Sequence, residues 1–229
     1  MSGVVANLRF VIRCSKTFGI RSVHTVQNYI SFLEQAYLLV PLHKFSFKPK
    51  IRIRETKLYA IDVGFVSYAS DIAATGSGRG WRMENIVFLE LHRRRRAGGF
   101  ELYYYKTNYE IDFVLFKSGK IVQLIQVSYD ATEEKTRKRE LSALVKGAAD
   151  LQCDNLLLIT QIEEGSIETD EKEVKIVPIT KWLLDREVAS GESLATSHSN
   201  WLKNVRAGTT TGDVLPKQLA STNGKSITT

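Results

Sequence analysis

The sequence predicts a mixed α/β fold of the α+β kind in two successive parts, and three observations carry that expectation. Residues 1–60 hold ten Lys/Arg against Glu34 and Glu55, a net charge of +8, and read as helices followed by a hairpin. Residues 61–185 carry a net −3 and switch between helical and strand periodicity in the order α-β-β-β-α-β, with one further strand. From Arg186 onward Ser, Thr and Gly dominate, so this tail, residues 186–229, is expected to be disordered: it buries too little to offset its ordering entropy. With 229 residues, 43% of them hydrophobic and 25% charged, the chain can build a real core.

Residues 4–14 read as a first helix, mixed apolar and basic, and residues 15–18 as a short second one ending at Gly19. Ser22 is a suitable N-cap for a third helix running to about Gln35, with Val26, Tyr29, Ile30, Leu33 and Ala36 on one face. Residues 38–42 look like a strand, residues 45–54 alternate apolar with basic side chains, and residues 57–61 return. Three helices followed by a basic hairpin describe a winged helix-turn-helix over residues 1–62. Its candidate nucleic-acid contacts are Arg21, His24 and Gln27 on the helical part, and Lys48, Lys50, Arg52 and Arg54 on the hairpin. A basic face that is merely solvated fits the same charges.

The second part, residues 63–185, opens after the glycine-rich stretch 76–80. A helix over about 81–96 stops at Gly98 and Gly99, where glycine is the expected terminator. Strands follow at 100–106, 110–117 and 120–128, the last two joined by a Ser118-Gly119 turn. Asp130 with Glu133 suits a capping-box start for a helix to about Ala149, whose buried stripe is Leu141, Leu144, Val145 and Ala148. Strands at 156–159 and 174–178 complete the sheet, and Trp182 closes the core.

One constellation suggests chemistry. Glu84 shares a helix face with Val87, Phe88 and Leu91, Asp112 sits in an apolar strand, and Gln126-Val127-Ser128 ends the next strand. A metal-dependent nuclease places Glu, Asp and a Glu-x-Lys tripeptide in this order, with carboxylates to hold Mg²⁺ against the scissile phosphate and a lysine to assist. Here the tripeptide reads Gln-x-Ser. The candidate catalytic set is thus the degenerate Glu84, Asp112, Gln126 and Ser128, and the candidate Mg²⁺ ligands are Glu84, Asp112 and Gln126. No lysine is expected in the pocket, Lys106 at a strand end being the nearest substitute. A structural reading of Glu84 and Asp112, capped by amides or paired with basic neighbours, stands beside the chemical one.

Other function classes are narrowed by absence. Cys14 and Cys153 show no metal-ligand or disulfide spacing, which suits a reducing cytoplasm. The longest apolar stretch, residues 36–42, is far short of the ~20 residues of a membrane span, so no membrane role is expected. No Gly-x-x-x-x-Gly-Lys-Ser/Thr loop is present, so this chain alone is not expected to bind ATP in that manner. Arg93 to Arg96 covers all faces of its helix and suits the helix C-terminus as well as a phosphate.

Residues from about 1 to 184 resemble the C-terminal half of a prokaryotic AAA-type ATPase family. The resemblance rests on residues 22–30, 33–38, 57–64, 84–91, 110–114, 125–128 and 139–144, in that order. Members join a P-loop core to a winged helix and a domain of unknown function related to PD-(D/E)xK nucleases. The resemblance implies a restriction-endonuclease-like second part, with Glu84, Asp112, Gln126 and Ser128 at the nuclease positions. Many relatives show Glu-Val-Lys where this chain has Gln126-Val127-Ser128, and a glycine is commoner where Tyr109 stands. It implies a nucleic-acid-binding or partner-docking module of an ATPase, whose partner is DNA or the ATPase protein, with a homo-oligomer left open. An active Mg²⁺-dependent endonuclease is the alternative. The ATPase core is absent, so a fragment, a split gene product or a truncated gene is expected.

Overall fold

The computed structural model describes residues 4–6, 19–20, 22–48, 56–64, 78–169 and 172–185. It is a mixed α/β structure with two sheets and flanking helices. Among the described residues no helix is long and apolar enough to cross a membrane.

Val4–Ala6 is a strand, β1, where a helix was expected; Val4 lies opposite Leu58 in an antiparallel ladder. Ladder partners distant in sequence, Leu58 and Lys57, outweigh the local pattern, and two adjacent valines adopt the pleat they favour. Helix α1 spans Val23–Gln35 with Ser22 at its N-cap, although the Ser22 side chain makes no capping bond. β2 (Leu39–His43) and β3 (Thr56–Ala60) pair antiparallel, giving the sheet order β1-β3-β2. The alternating stretch expected from residue 45 does not continue β2. Phe45 is buried instead, and its N–H bonds the Tyr104 carbonyl at 2.6 Å. Residues 49–55 and Arg21 lie outside the described residues.

The expected stripe on α1 exists but is mostly uncovered: Val26 is buried, while Tyr29 and Leu33 are exposed. The helix ends with two backbone bonds, Leu38 N–H to the Leu33 carbonyl (2.9 Å) and Tyr37 N–H to the Glu34 carbonyl (3.0 Å). This closure needs a left-handed residue and normally takes glycine. Here Tyr37 fills it at φ +58° with its ring 79% exposed.

The larger sheet follows α2 (Arg79–Gly98), which stops at the left-handed Gly99 as expected. Its strands are β4 (Glu101–Lys106), β5 (Glu110–Lys117), β6 (Lys120–Ser128), β7 (Leu156–Thr160), β8 (Gly165–Thr169) and β9 (Lys172–Pro178). Their order is β4-β5-β6-β7-β9-β8, with β6, β7 and β9 parallel to one another. The β6–β7 crossover is α3 (Glu134–Leu151). It begins after Glu133, and Asp130 is not its cap; the Asp130 carboxylate accepts the Thr132 N–H and hydroxyl. Edge strand β8 was not expected, because Ile167 alone gives it an apolar side chain.

Two apolar layers flank this sheet. One joins α2 and the short α4 (Ile179–Leu184) to Leu42, Tyr59, Phe113 and Ile125; the other joins α3 to Phe45, Val114, Leu124 and Leu158. Residues on both sides of position 62 therefore share the same cores. Of the arginine run, Arg94 is buried: its guanidinium lies 4.7 Å from the Trp182 ring centre and donates to the Trp182 and Leu183 carbonyls. That arginine fastens α2 to α4 and is not presented to a phosphate.

Two stability outcomes follow from this packing. A Cβ on Gly147 would stand 3.0 Å from Ile111 and 3.4 Å from Leu124, so α3 rides directly on the sheet. Gly147→Val is expected to lower unfolding free energy by about 1–3 kcal/mol, seen as a lower urea midpoint. Tyr37→Gly is expected to raise it by about 0.5–1 kcal/mol in the same assay, since glycine relieves the left-handed strain.

Candidate functional site

The strand alternation that turns Asp112 inward also turns Lys57 and Tyr59 toward the same place, from β3. The Asn85 amide fixes the approach: its Oδ1 accepts the Ala60 N–H (2.9 Å) and its Nδ2 donates to the Ala60 carbonyl (2.8 Å). Asn85 thus extends the β3 ladder by one partner and clamps α2 to the strand. Glu84 is its neighbour and is carried into the interior, where Tyr59 stacks on Phe88 with ring centres 4.0 Å apart.

At the centre lies a lysine. Lys57 is fully buried; its Nζ donates to Glu84 Oε1 at 3.0 Å and Asp112 Oδ1 at 3.3 Å, and ion-pairs with Glu110 Oε1 at 2.7 Å. The Tyr59 hydroxyl donates to Glu84 Oε1 (2.7 Å), and the Tyr104 ring centre is 5.4 Å from the ammonium. Asp112 Oδ2 accepts the Val127 N–H at 3.0 Å. The expectation of a pocket without lysine is overturned. Lys106 does not fill that role either; it sits outside the centre, paired with Glu110.

Gln126 lies beside Asp112, and both ends of its amide are hydrogen-bonded. Oε1 accepts the Asp112 N–H (3.2 Å), and Nε2 donates to Glu140 Oε2 (2.6 Å). Glu140 in turn pairs with Arg139. Ser128 is buried at the end of β6. Glu84, Glu110, Asp112, Gln126 and Ser128 line one cleft of about 610 Å³, with Arg139 on its α3 wall. Two of the four expected catalytic positions, Glu84 and Asp112, therefore meet at the lysine, and Gln126 and Ser128 line the same cleft.

The residues present do not fit Mg²⁺ as they stand. An ammonium fills the space between the carboxylates, whereas Mg²⁺ requires oxygens at about 2.1 Å in near-octahedral array. Among the described residues no three His, Cys, Asp or Glu side chains form a metal-holding group. Of the expected nucleic-acid contacts, His24 and Gln27 are exposed on α1 and Lys48 is exposed beyond β2. Arg21, Lys50, Arg52 and Arg54 lie outside the described residues.

Sequence reasoning missed Lys57, Tyr59, Asn85, Glu110 and Glu140. The signal was available for two of them. In residues 57–61 a lysine and a tyrosine alternate with leucine and alanine, the same pattern that marked Asp112 as inward-facing.

The cluster's protonation follows from its field. Burial alone would push the Lys57 ammonium down, but Tyr59, Glu84, Asp112 and Glu110 hold it well above the ordinary lysine value. Burial, then the Glu84 charge, raises the Tyr59 phenol. Burial and Glu84 also raise the Asp112 carboxyl, against the pull of Lys57. For Glu110, burial pushes upward, yet Lys57 and Lys106 bring it down to about 2.

Fold and site together define a mixed α/β domain with a polar cleft at strand ends, lined by carboxylates that pair with a buried ammonium. Residues 79–182 match the family described as "Domain of unknown function (DUF4143)". The chain is similar to an uncharacterized protein of Methanocaldococcus jannaschii, 40% identical over 166 residues, which covers 69% of this chain and 36% of that protein. It is also similar to an uncharacterized protein of Haemophilus influenzae, 27% identical over 165 residues, covering 71% of this chain and 38% of that protein. The chain thus spans little more than a third of the length of these relatives. No solved structure matches it.

Lys57→Met is expected to lower stability at neutral pH by about 3–5 kcal/mol, because it strands buried carboxylates. The carboxyl pKa values in that variant rise, so its stability increases as pH falls from 8 to 5, measured by urea unfolding. In the wild type, the native state keeps protons on Lys57 and Tyr59 that the unfolded chain releases. Stability is therefore lost as pH climbs above about 10, and that limb is shallower in Lys57→Met. A variant indifferent to pH would contradict the assignment.

Proposed function

We propose that the chain is a docking module for an ATPase partner, built on a nuclease-like scaffold whose site does not cut. The observation that carries the loss of cleavage is Gln126. At the position where a nuclease presents a metal-binding carboxylate, an amide bridges the Asp112 backbone to the Glu140 side chain. The amide brings no negative charge there for a metal, and its oxygen already accepts the Asp112 N–H.

The scaffold reading is supported by topology. A three-stranded sheet of order β1-β3-β2, with a helix between β1 and β2, suits a winged helix. An antiparallel β4-β5-β6 unit, followed by α3 and a strand parallel to β6, suits a restriction-endonuclease-like core. Docking is supported by Tyr29, Phe32, Leu33, Tyr37 and Leu38, which leave one side of α1 and its closing turn exposed and apolar. A contiguous apolar surface of this kind marks contact with another protein more often than with phosphates. Tyr37 strengthens the point, since a strained backbone position holds an exposed ring. The ATPase class of the partner rests on the resemblance, and the curated relatives extend well beyond the matched region.

A second reading, an active Mg²⁺-dependent endonuclease, is favoured by Lys57 alone: it supplies a cation at the carboxylates that the Gln-x-Ser motif lacks. Incubation with supercoiled plasmid and Mg²⁺ separates the two. No nicking above background is expected; nicking that vanishes in Asp112→Ala would establish the enzyme. The docking arm is read by capture of an ATP-hydrolysing protein on the immobilised chain, expected to be lost with Phe32→Asp plus Tyr37→Asp. Affinity for duplex DNA that falls steeply with salt, with no such capture, would move the function to nucleic-acid binding.

A further inference from the structure

We infer that Lys57 is a tethered cation that takes the place a divalent metal would occupy and keeps such metals out of the carboxylate cluster. The inference deepens the non-cutting reading of this site and rests on it. Three acidic side chains from two elements, Glu84 on α2 with Glu110 and Asp112 on β5, direct oxygens at one point. That point is held by Nζ at 2.7–3.3 Å, distances of hydrogen-bonded ion pairs and not of metal ligation.

The lysine is built to stay there. Its β3 backbone pairs on both sides, with Val5 and with Leu42, so the point from which the stem projects is fixed within the small sheet. The Asn85 clamp holds α2 against the same strand. Tyr104 faces the ammonium from β4 and Tyr59 shares Glu84 with it, so its surroundings are ordered. A metal entering this site must displace a buried ammonium that is ion-paired to all three carboxylates. An ammonium neutralises one unit of charge with hydrogen bonds; it supplies no Lewis acidity. The cluster's charge is thereby reduced for folding without the cluster being armed for hydrolysis. Gln126 contributes to the same end by placing an uncharged amide, and not a further carboxylate, in the cleft.

The test is the response of the full chain to Mn²⁺ and Mg²⁺, followed by thermal unfolding and by calorimetric titration, for wild type and Lys57→Met. Wild type is expected to show no metal-dependent rise in midpoint beyond that of matched ionic strength. Lys57→Met is expected to gain a rise that grows with the logarithm of metal concentration, and to bind Mn²⁺ at least about tenfold more tightly than wild type. Should Lys57→Met fail to fold without metal, recovery of its structure on adding Mn²⁺ reads the same gain. Lys57→Met in a Glu110→Gln background, with less stranded charge, provides a second folded comparison. Saturable Mn²⁺ binding by wild type overturns the inference, and so does indifference of both variants to metal. Plasmid nicking by wild type would sink the non-cutting reading itself, whereas wild-type metal binding without nicking sinks this inference alone.

Discussion

A lysine ammonium with no access to water is tolerable only where anions meet it, and Lys57 meets three. The same holds in reverse, because Glu84 and Asp112 are as deeply buried as the lysine they face. The anions and the cation come from different parts of the chain: the hairpin brings the lysine, while α2 and β5 bring the acids. Neither half can bury its charge without the other. Docking of β3 on α2 is therefore coupled to completion of the larger sheet, and Asn85, Tyr59 and Phe88 set the distance at which this happens.

This coupling explains which features the sequence revealed. Helices α2 and α3 and strands β4 to β7 were legible because each repeats its apolar side chains over several turns or alternations. Gly99 announced its helix end through a left-handed backbone that few other residues accept. β1 and β8 were not legible, since a three-residue strand and a nearly polar edge strand owe their form to partners distant in sequence. Tyr37 concealed a glycine-type closure behind an aromatic ring. Asp130 offered a plausible cap, but its carboxylate closes a tight local turn on Thr132 instead.

Half of the candidate site was legible for the same reason. Glu84, Asp112, Gln126 and Ser128 could be brought together because each is a polar residue set into an apolar periodic element. Lys57 was hidden by its company. As one of ten basic residues in its segment, Lys57 looks like part of a solvated positive face. Only the strand's inward alternation distinguishes it, and that distinction needs knowledge of what lies opposite. Arg94 was hidden in the same manner: a run of four arginines suited a helix C-terminus or a phosphate, yet one of them is an internal fastening across Trp182.

The position of Gln126 shows why a degenerate motif need not be a simple loss. One end of the side chain must accept a hydrogen bond from the Asp112 N–H, and the other must donate to the Glu140 carboxylate. An amide does both at once. An ionised glutamate can do only the first, and it would place its charge against Glu140, which is itself buried. Restoring the carboxylate would thus require either a proton on it or a rearrangement of α3, whose Gly147 packs so closely that a Cβ there would stand 3.0 Å from Ile111. The lost ligand at Gln126 and the ammonium of Lys57 are therefore parts of one charge arrangement: fewer anions in the cleft, one resident cation, and a helix seated close enough to use the amide. Reversing the motif at a single residue would unbalance the other two.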